Sequence, residues 1–551
     1  MNNPSNKLIP RALPWEGFNF FRLNDWKTFL PWLVYTIVLG LFYSRLPPSL
    51  DCLHFDYISW VVLRGGVPYI DAADINFPGI LLFHTIATFL FGNHVWSFRL
   101  FDYFFLLATC SLLFVFVARY FGKLAGFLVF VIYQAMYVTG GIWFSGERDV
   151  IAAPFLLGAA FALLLRIETK RRVWCIMQGI CLAAATLIKP TLLILAPLLF
   201  FGDLLLISKT KRKLREIFSD HLIAGFSSAV ILLGAIFIGW LYGALQEWYN
   251  VSIRFNLEAY GKDRRSFLYA IRLLATYSLK CWHWYIVLGF LGGIICWRTK
   301  PKPTVFLLMI LFAAILSTAV QGKALGYHLG AMFPLFAIFI APLTASSMHT
   351  IFHHPNTTAV FPKIGVSILI IVLIGLGLTK KVVKTFPAQI QWCLGMISEE
   401  KMLVDTKDGQ ALNLSEAKEI SNHIKQTVVS QKTVLYWARS MLINYLSERR
   451  SPSRFNALAL DFPAKNFNLL SAWKEEFRNT MMASPPELIL LDKNPALECY
   501  IDMSTQSSGT SASDIVRGAI KTKYRLEKSF KDVDCYRLNK PAKGADQIYG
   551  L

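Results

Sequence analysis

Charge is scarce in this sequence. Charged residues make up 17% of 551, while aliphatic, aromatic and Cys residues make up 55%. A soluble domain carries about 25% charge, so the polar residues here are too few to cover a water-facing surface of this size, and a soluble globular enzyme is excluded. Other things are missing as well. The nine Cys show no metal-ligand spacing, and no internal repeat or low-complexity tract stands out. The first 27 residues are polar and basic, without an apolar stretch and small-residue cleavage site, so nothing there reads as a removable signal. Cys110, Cys175, Cys181 and Cys296 fall in apolar blocks and read as small core residues. Cys393, Cys499 and Cys535 lie in a polar tail, where pairing depends on the redox state of the compartment.

What is present is a series of apolar blocks, among them Phe29–Tyr43, Phe98–Ala118, Leu222–Leu241 and Ile364–Leu378. A hydrocarbon core of about 30 Å takes ~20 helical residues to cross, and these blocks approach or reach that length. The mean hydropathy of +0.45 agrees, and 14% aromatic residues, with 15 Trp, suit anchoring at the two membrane surfaces. The expectation is an α-helical polytopic membrane protein with about eleven spans, at 28–46, 97–118, 124–142, 150–168, 173–188, 191–208, 222–243, 281–297, 303–320, 329–345 and 364–380.

The formal charge of +21 points to topology rather than to a nucleic-acid partner, because Lys and Arg collect in short runs between the apolar blocks. Lys7, Arg11, Arg22 and Lys27 place the N-terminal segment, 1–27, in the cytoplasm. Alternation then puts Arg119/Lys123, Arg166/Lys170–Arg172, Lys209–Arg215, Arg298–Lys302 and Lys363 on the same side. The loop holding Arg254, Lys262, Arg264 and Arg265 is the exception and falls outside. Phe77–Gly92 is apolar but 16 residues long. As a span it would invert every later loop, so it reads as a helix on or dipping into the outer interface. The body then runs over 28–384 with an external loop at 46–96, and residues 385–551 form a small extracytoplasmic α/β domain. In that domain Leu412–Gln426 reads as an amphipathic helix with Asn413 and Glu416 at capping-box spacing. Thr433–Ala438, Glu487–Leu491 and Asp534–Leu538 read as strands, the second entered through a turn at Pro485–Pro486.

With sidedness taken from basic loops alone, the other ionisable groups gather on the outer face. The first external loop carries Asp51, Asp56, Asp71 and Asp74; later ones carry Glu147-Arg148-Asp149, Lys189, and the run from Gln321 to His328. Ionisable groups beside spans are expensive to bury and so mark function. Carboxylates with an arginine and two lysines suit an anionic, lipid-borne substrate. Structural readings stand beside the functional ones. Asp71 fits a turn between Pro68 and Gly79, Glu147-Arg148-Asp149 fits a helix start, and Lys189 before Pro190 fits a snorkelling lysine ahead of the next span. His54, His84 and His94 show no ligand spacing and read as interfacial residues.

The order of these motifs resembles the GT-C class of integral-membrane glycosyltransferases. It runs from an acid through G-G-x-P-Y-x-D-x-x-D-x-x-x-P at Gly65–Pro78 to G-E-R-D at Gly146–Asp149, K-P-T at Lys189–Thr191 and G-K-x-x-x-Y-H at Gly322–His328. Within the class the chain is similar to bacterial relatives of lipid A aminoarabinose transferase and to protein O-mannosyltransferases. The resemblance covers roughly residues 25–345 and extends loosely over the tail. It implies a polyprenyl-phosphate sugar (hexosyl or pentosyl) as donor and inverting transfer to a hydroxyl acceptor on lipid A, glycan or protein, at the outer face of a bacterial inner membrane. It also implies a catalytic base in the first external loop. The usual spacing, fourteen residues before Gly65, lands on Asp51; Asp56, followed by Tyr57, is the rival. The class commonly has a lysine where this chain has Asn76, so charge for the lipid phosphate falls to Lys323, Lys189 or Arg148. Asp74, Glu147, Asp149, Tyr327 and His328 complete the expected binding set. No cofactor and no resident metal is expected. A transporter or flippase is the competing class, and it sits less well with acids in surface loops and no repeated halves. Reporter fusions should give cytoplasmic signals at residues 170 and 212 and an external one at residue 450; a cytoplasmic signal at 450 would mean that Phe77–Gly92 crosses.

Overall fold

The computed structural model describes residues 26–44, 46–138, 140–142, 144–260, 267–321, 326–353, 387–399, 401–402, 414–438, 440–461, 467–493 and 511–539. Helices dominate. In chain order they are α1 (Trp26–Ser44), α2 (Leu50–Leu63), α3 (Pro78–Phe91), α4 (Ser97–Phe121), α5 (Lys123–Val138), α6 (Arg148–Thr169), α7 (Val173–Ile188), α8 (Leu195–Leu205), α9 (Leu214–Leu241), α10 (Phe267–Thr299), α11 (Pro301–Gln321) and α12 (Phe333–His353). Among the described residues five stretches are long and apolar enough to cross a membrane: Ser97–Phe121, Arg148–Thr169, Leu214–Leu241, Pro301–Gln321 and Tyr327–Met348. Shorter apolar helices, Pro78–Phe91 among them, pack beside these. The protein is an α-helical, polytopic membrane protein. The expected span at 364–380 lies outside the described residues.

The bundle has two chemically distinct ends. At one, Arg119 pairs with Glu168 at 2.6 Å and Arg166 with Asp220 at 2.9 Å. Arg212 bonds Asp203 at 2.5 Å and also reaches Asp220. Three of the basic loops thus meet there. At the other end lie the loops holding Asp51, Glu147 and Lys189, tied by Ser49–Glu147 and Lys189–Asp149 contacts.

The acidic end is organised by one buried cation. Arg99, at the start of α4, is fully buried. Its guanidinium donates to the carbonyls of Leu46 (3.3 Å), Pro47 (2.8 Å) and Ser145 (2.7 Å), and to the Tyr43 hydroxyl at 3.0 Å. Tyr43 in turn donates to Asp102, as does Tyr137 at 2.7 Å. The loop entering α2 and the loop entering α6 are therefore pinned to the same side chain.

The first external loop is not irregular throughout. Residues 50–63, expected as loop, form α2, because Ser49 caps it: the Ser49 hydroxyl accepts from the Cys52 amide at 3.2 Å. On this helix Asp56, His54 and Tyr57 are buried, covered in part by a polar layer built from the C-terminal residues, an environment that a single-sequence periodicity does not reveal.

Residues 414–539 fold into that layer, comprising α13 (Leu414–Thr427), β1 (Val434–Trp437), α14 (Leu442–Ser447), α15 (Asn468–Ala483), β2 (Leu488–Asp492), α16 (Ala512–Lys523), β3 (Tyr524–Ser529) and β4 (Val533–Leu538). The sheet order is β1-β2-β4-β3, with β1 parallel to β2 and the other pairs antiparallel. β1 and β2 are almost wholly buried, as continuous apolar runs in covered strands should be. Strand β3, with α15 and α16, is absent from the sequence reading: Tyr524–Ser529 is polar and its side chains are mostly exposed. Asn413 lies outside the described residues, and Glu416 accepts from the Asp532 amide at 2.6 Å, bridging to the sheet. Cys393 and Cys535 are free thiols, and Cys499 lies outside the described residues.

This layer is fastened to the segment between α1 and α4. The Ser451 amide donates to the Tyr57 hydroxyl at 2.8 Å, the Ala73 amide to the Arg454 carbonyl at 2.8 Å, and Arg454 to the Tyr69 carbonyl at 3.1 Å. Arg454 also pairs with Glu247 (2.5 Å) and Glu476 (2.8 Å). Arg99→Leu should lower stability by roughly 3–5 kcal/mol, since breaking a buried polar cluster leaves the remaining groups unpaired. Thermal unfolding in detergent reads this as a lowered midpoint, and an unchanged midpoint would remove Arg99 from its organising place.

Candidate active site

One cavity of about 410 Å³ lies between the acidic end of the bundle and the C-terminal layer. Local chemistry places each polar wall. Asp51 sits in the first turn of α2, where the helix dipole favours a carboxylate. Asp74 and Asn76 come from the loop before α3, where Asp74 accepts from the Asn76 amide at 2.7 Å in a tight turn. The Asn76 carbonyl accepts from Tyr69 (2.8 Å) and Ser252 (3.0 Å). Arg148 is the first residue of α6, which begins after Gly146 at φ +80°. Lys189 ends α7 in an extended conformation (φ −149°, ψ 102°), the geometry that the following Pro190 imposes, and this break faces it to the cavity. Tyr327 and His328 arrive on a 3-10 turn, Gly326–Met332.

Two glycines allow these walls to close. A Cβ on Gly330 would stand 2.6 Å from Val150 Cγ2 and 3.2 Å from Asp149 Cβ, so the Tyr327–His328 turn seats directly on the start of α6. A Cβ on Gly79 would meet the Leu187 backbone at 2.6 Å, bringing α3 against the end of α7 beside Lys189.

The expected site residues divide once placed. Asp51, Asp74, Asn76, Arg148, Lys189, Tyr327 and His328 all face the cavity. Lys323 lies outside the described residues. Asp56 does not line the cavity: it is buried and bonded to His84 at 2.7 Å, with the His84 ring stacked on Phe98 at 3.5 Å. Burial raises the Asp56 carboxyl above its usual range, against the pull of His84. His54 and His84, expected at the interface, are both buried. Glu147 is also buried. It accepts from Ser49 at 2.7 Å, and burial, with Asp51 nearby, pushes its carboxyl up to about 8. Asp149 accepts from Lys189 at 2.5 Å, both being almost fully buried. Burial lowers the Lys189 ammonium, with Asp149 opposing the shift.

Few of these charges remain available to a ligand. Lys189 is paired with Asp149, and burial shifts Glu147 toward its neutral form. Among the described residues no carboxylate pairs with Arg148, whose Nε meets no partner; Tyr327 lines the same cavity. A carboxylate at Asp51 and a guanidinium at Arg148 therefore share a half-enclosed space, an arrangement able to take a proton and hold an anion at once. Among the described residues no three His, Cys, Asp or Glu side chains converge as a metal centre would need.

Thr191 and Gln321, from the K-P-T motif and the Gln321–His328 run, also line the cavity, Thr191 bonded to Ser317 at 2.7 Å. The walls from two other elements were not foreseen. A π-helix, Tyr249–Tyr260, contributes Ser252 and Asn256, the latter donating to the Ile75 carbonyl at 2.7 Å. Phe455 and Asn456 of the C-terminal layer form the roof. The single available hint was the one basic loop on the outer side, whose Arg254 is spent on Glu258 at 2.9 Å.

A family model described as dolichyl-phosphate-mannose-protein mannosyltransferase matches residues 76–242. The fold is that of ArnT from Cupriavidus metallidurans. The structure of that protein bound to undecaprenyl phosphate aligns with TM-score 0.56 at 11% identity, covering 92% of this chain and 98% of that one. Its apo structure aligns with TM-score 0.55 at 13% identity over the same shares. No curated protein matches in sequence. In family match and in fold the chain resembles GT-C membrane glycosyltransferases.

The Lys189–Asp149 pair gives a test of its own. Lys189→Met or Asp149→Leu alone strands a buried charge and should cost roughly 3–5 kcal/mol, whereas the double variant should recover most of the loss. Thermal unfolding of the four proteins in one detergent closes the cycle; additive losses would show that the two side chains act independently.

Proposed function

We propose that the chain transfers a sugar from a polyprenyl-phosphate donor to a hydroxyl acceptor, with inversion at the anomeric carbon, on the outer face of a bacterial inner membrane. The observation that carries this reading is that Asp51 and Arg148 line one cavity while the acidic neighbours of Arg148 are engaged elsewhere. The family match, and the undecaprenyl phosphate bound to ArnT, a protein of the same fold, support a lipid-phosphate donor.

The chemistry asks for little more. The bond between sugar C1 and phosphate oxygen already has a good leaving group, so no protonating acid is required. Asp51 accepts the proton of the acceptor hydroxyl as its oxygen bonds to C1 from the face opposite the phosphate. The C1–O bond breaks, and its electron pair leaves with the lipid phosphate. Arg148, with the Tyr327 hydroxyl beside it, takes the negative charge that develops there. The proton resides on Asp51 until water removes it. Lys189 acts through Asp149, fixing the start of α6 and so the direction of Arg148.

Asp51→Asn should lower kcat by ~10²–10⁴-fold with little change in donor KM, as loss of a general base does. Arg148→Met should raise donor KM by roughly ten- to a hundredfold, since a charge-assisted bond to phosphate contributes about 1.5–3 kcal/mol. Asp56→Asn, outside the cavity, should transfer at close to the parent rate. Purified protein in detergent, supplied with a panel of undecaprenyl-phosphate monosaccharides and an acceptor extract, provides the readout by mass spectrometry. Full activity of Asp51→Asn would sink the mechanism.

A further inference from the structure

His54 has a place in the cavity that neither its sequence context nor the transfer chemistry of Asp51 and Arg148 accounts for. It lies three residues after Asp51 on α2, hence on the same face of the helix, and it lines the cavity although it is only 4% exposed. Its Nε2 is 3.3 Å from Asp74 Oδ2 and 3.1 Å from the Ala73 carbonyl. Both neighbours are acceptors, so Nε2 must carry the proton. Nδ1 is buried and meets no hydrogen-bond partner among the described residues. A buried imidazole held by one nitrogen costs stability at the other, and a purely structural position would be filled more cheaply by an apolar side chain.

The loop that His54 holds is the one carrying Asp74 and Asn76 into the site. Ala73, whose carbonyl accepts from His54, donates its own amide to the Arg454 carbonyl of the roof. His54 therefore ties three parts together: the helix of Asp51, the Asp74 turn, and through Ala73 the C-terminal layer. Asp74 is faced by His54 and Asp51 from α2 and by Arg148 from α6, and it accepts a hydrogen bond from the Asn76 amide.

We infer that His54 is a positioning residue for the transfer reaction: its Nε2–H donates to the Ala73 carbonyl and so holds the Ala73–Asn76 turn, with the Asp74 carboxylate 3.3 Å from the ring, against the face of α2 that carries Asp51. The second carboxylate then stands beside the base, ready to accept a hydrogen bond from the acceptor and orient its reacting hydroxyl toward Asp51. This rests on the transferase reading. Burial raises the Asp74 carboxyl while His54 and the Asn76 amide pull it down, so removing His54 lets Asp74 protonate at higher pH.

The test uses His54→Gln, whose Nε2 reaches the position of the imidazole Nε2, and His54→Leu, which fills the space without a donor. Hydrogen exchange of the full-length protein in detergent should speed up at residues 73–77 in His54→Leu and stay near the parent rate in His54→Gln. With the donor that the parent protein uses, kcat should fall ~10–100-fold in His54→Leu, with donor KM unchanged and the acidic limb of the kcat–pH profile moved to higher pH. His54→Gln should restore both. Faster exchange with an unaltered kcat and pH limb would overturn the positioning role, and so would an unchanged exchange pattern in His54→Leu. If the parent protein transfers no sugar from any donor, the transferase reading fails by itself, and exchange at 73–77 still decides whether His54 holds the turn.

Discussion

The site depends on a guanidinium that never reaches it. Arg99 holds the carbonyls of Leu46, Pro47 and Ser145, the last residues before two different active-site helices. Loops at a membrane surface are free to splay, because water satisfies their backbone groups wherever they go. Here a charge buried at the top of α4 can be satisfied only if both loops converge on it, since an unpaired buried cation is costly. That requirement sets the distance between Asp51 on α2 and Arg148 on α6. The Asp102–Tyr43–Tyr137 cluster supplies the balancing charge and extends the same constraint to α1 and α5. Asp51 and Arg148, the proposed proton acceptor and anion holder, are thus located by a network that bonds to neither side chain.

The C-terminal layer completes what the bundle leaves open. Its polar contacts with the bundle are concentrated on residues 57–73, through Ser451 on Tyr57 and Arg454 on Tyr69 and Ala73, beside apolar packing of Leu53 and Val95 into its core. Polar contacts of this kind fix register more than they add stability. They suit a roof that must sit in one place over a cavity without sealing it. The π-helix at Tyr249–Tyr260 works to the same end from the side, its Ser252 and Asn256 binding the carbonyls of Asn76 and Ile75. Widened turns of this type often appear at functional sites because they turn backbone and side chains away from the ordinary helical ladder.

How far the sequence could be read depends on the range of each interaction. Apolar blocks near twenty residues and the basic runs between them are local features, and both are visible in the helices and in the way Arg119, Arg166 and Arg212 meet at one end of the bundle. Motif order was equally legible: seven of the expected residues line one cavity despite separations of up to 277 positions between Asp51 and His328. What escaped was decided by distant partners. Asp56 and Asp51 look alike in the sequence, yet Asp56 is turned inward against His84 while Asp51 faces the cavity. His54 reads as interfacial until the 73–76 turn and the roof close over it. Residues 50–63 pass for loop because the Ser49 cap is a single residue, and its meaning depends on Glu147.

The electrostatic consequence is a site with less positive charge than its sequence advertises. Lys189 belongs to Asp149 and Arg254 to Glu258, while Asn76 stands where the resemblance places a lysine. Glu147 lies next to Arg148, but burial with Asp51 nearby shifts it toward its neutral form and its carboxyl accepts from Ser49, which weakens its hold on that cation. This division matters because a salt-bridged guanidinium would have to break its pair to receive an anion, and the ligand would have to compensate that loss. Arg148 has no such pair among the described residues, so in the proposed reaction its binding energy is available when an anion enters and strengthens as charge builds on the departing oxygen. The acidic neighbours are what make this possible: each is occupied by a group outside the reaction, Ser49 for one and Lys189 for the other. A run of three adjacent ionisable residues at a helix start is thereby resolved into one cation that lines the cavity and two carboxyls bonded to Ser49 and Lys189.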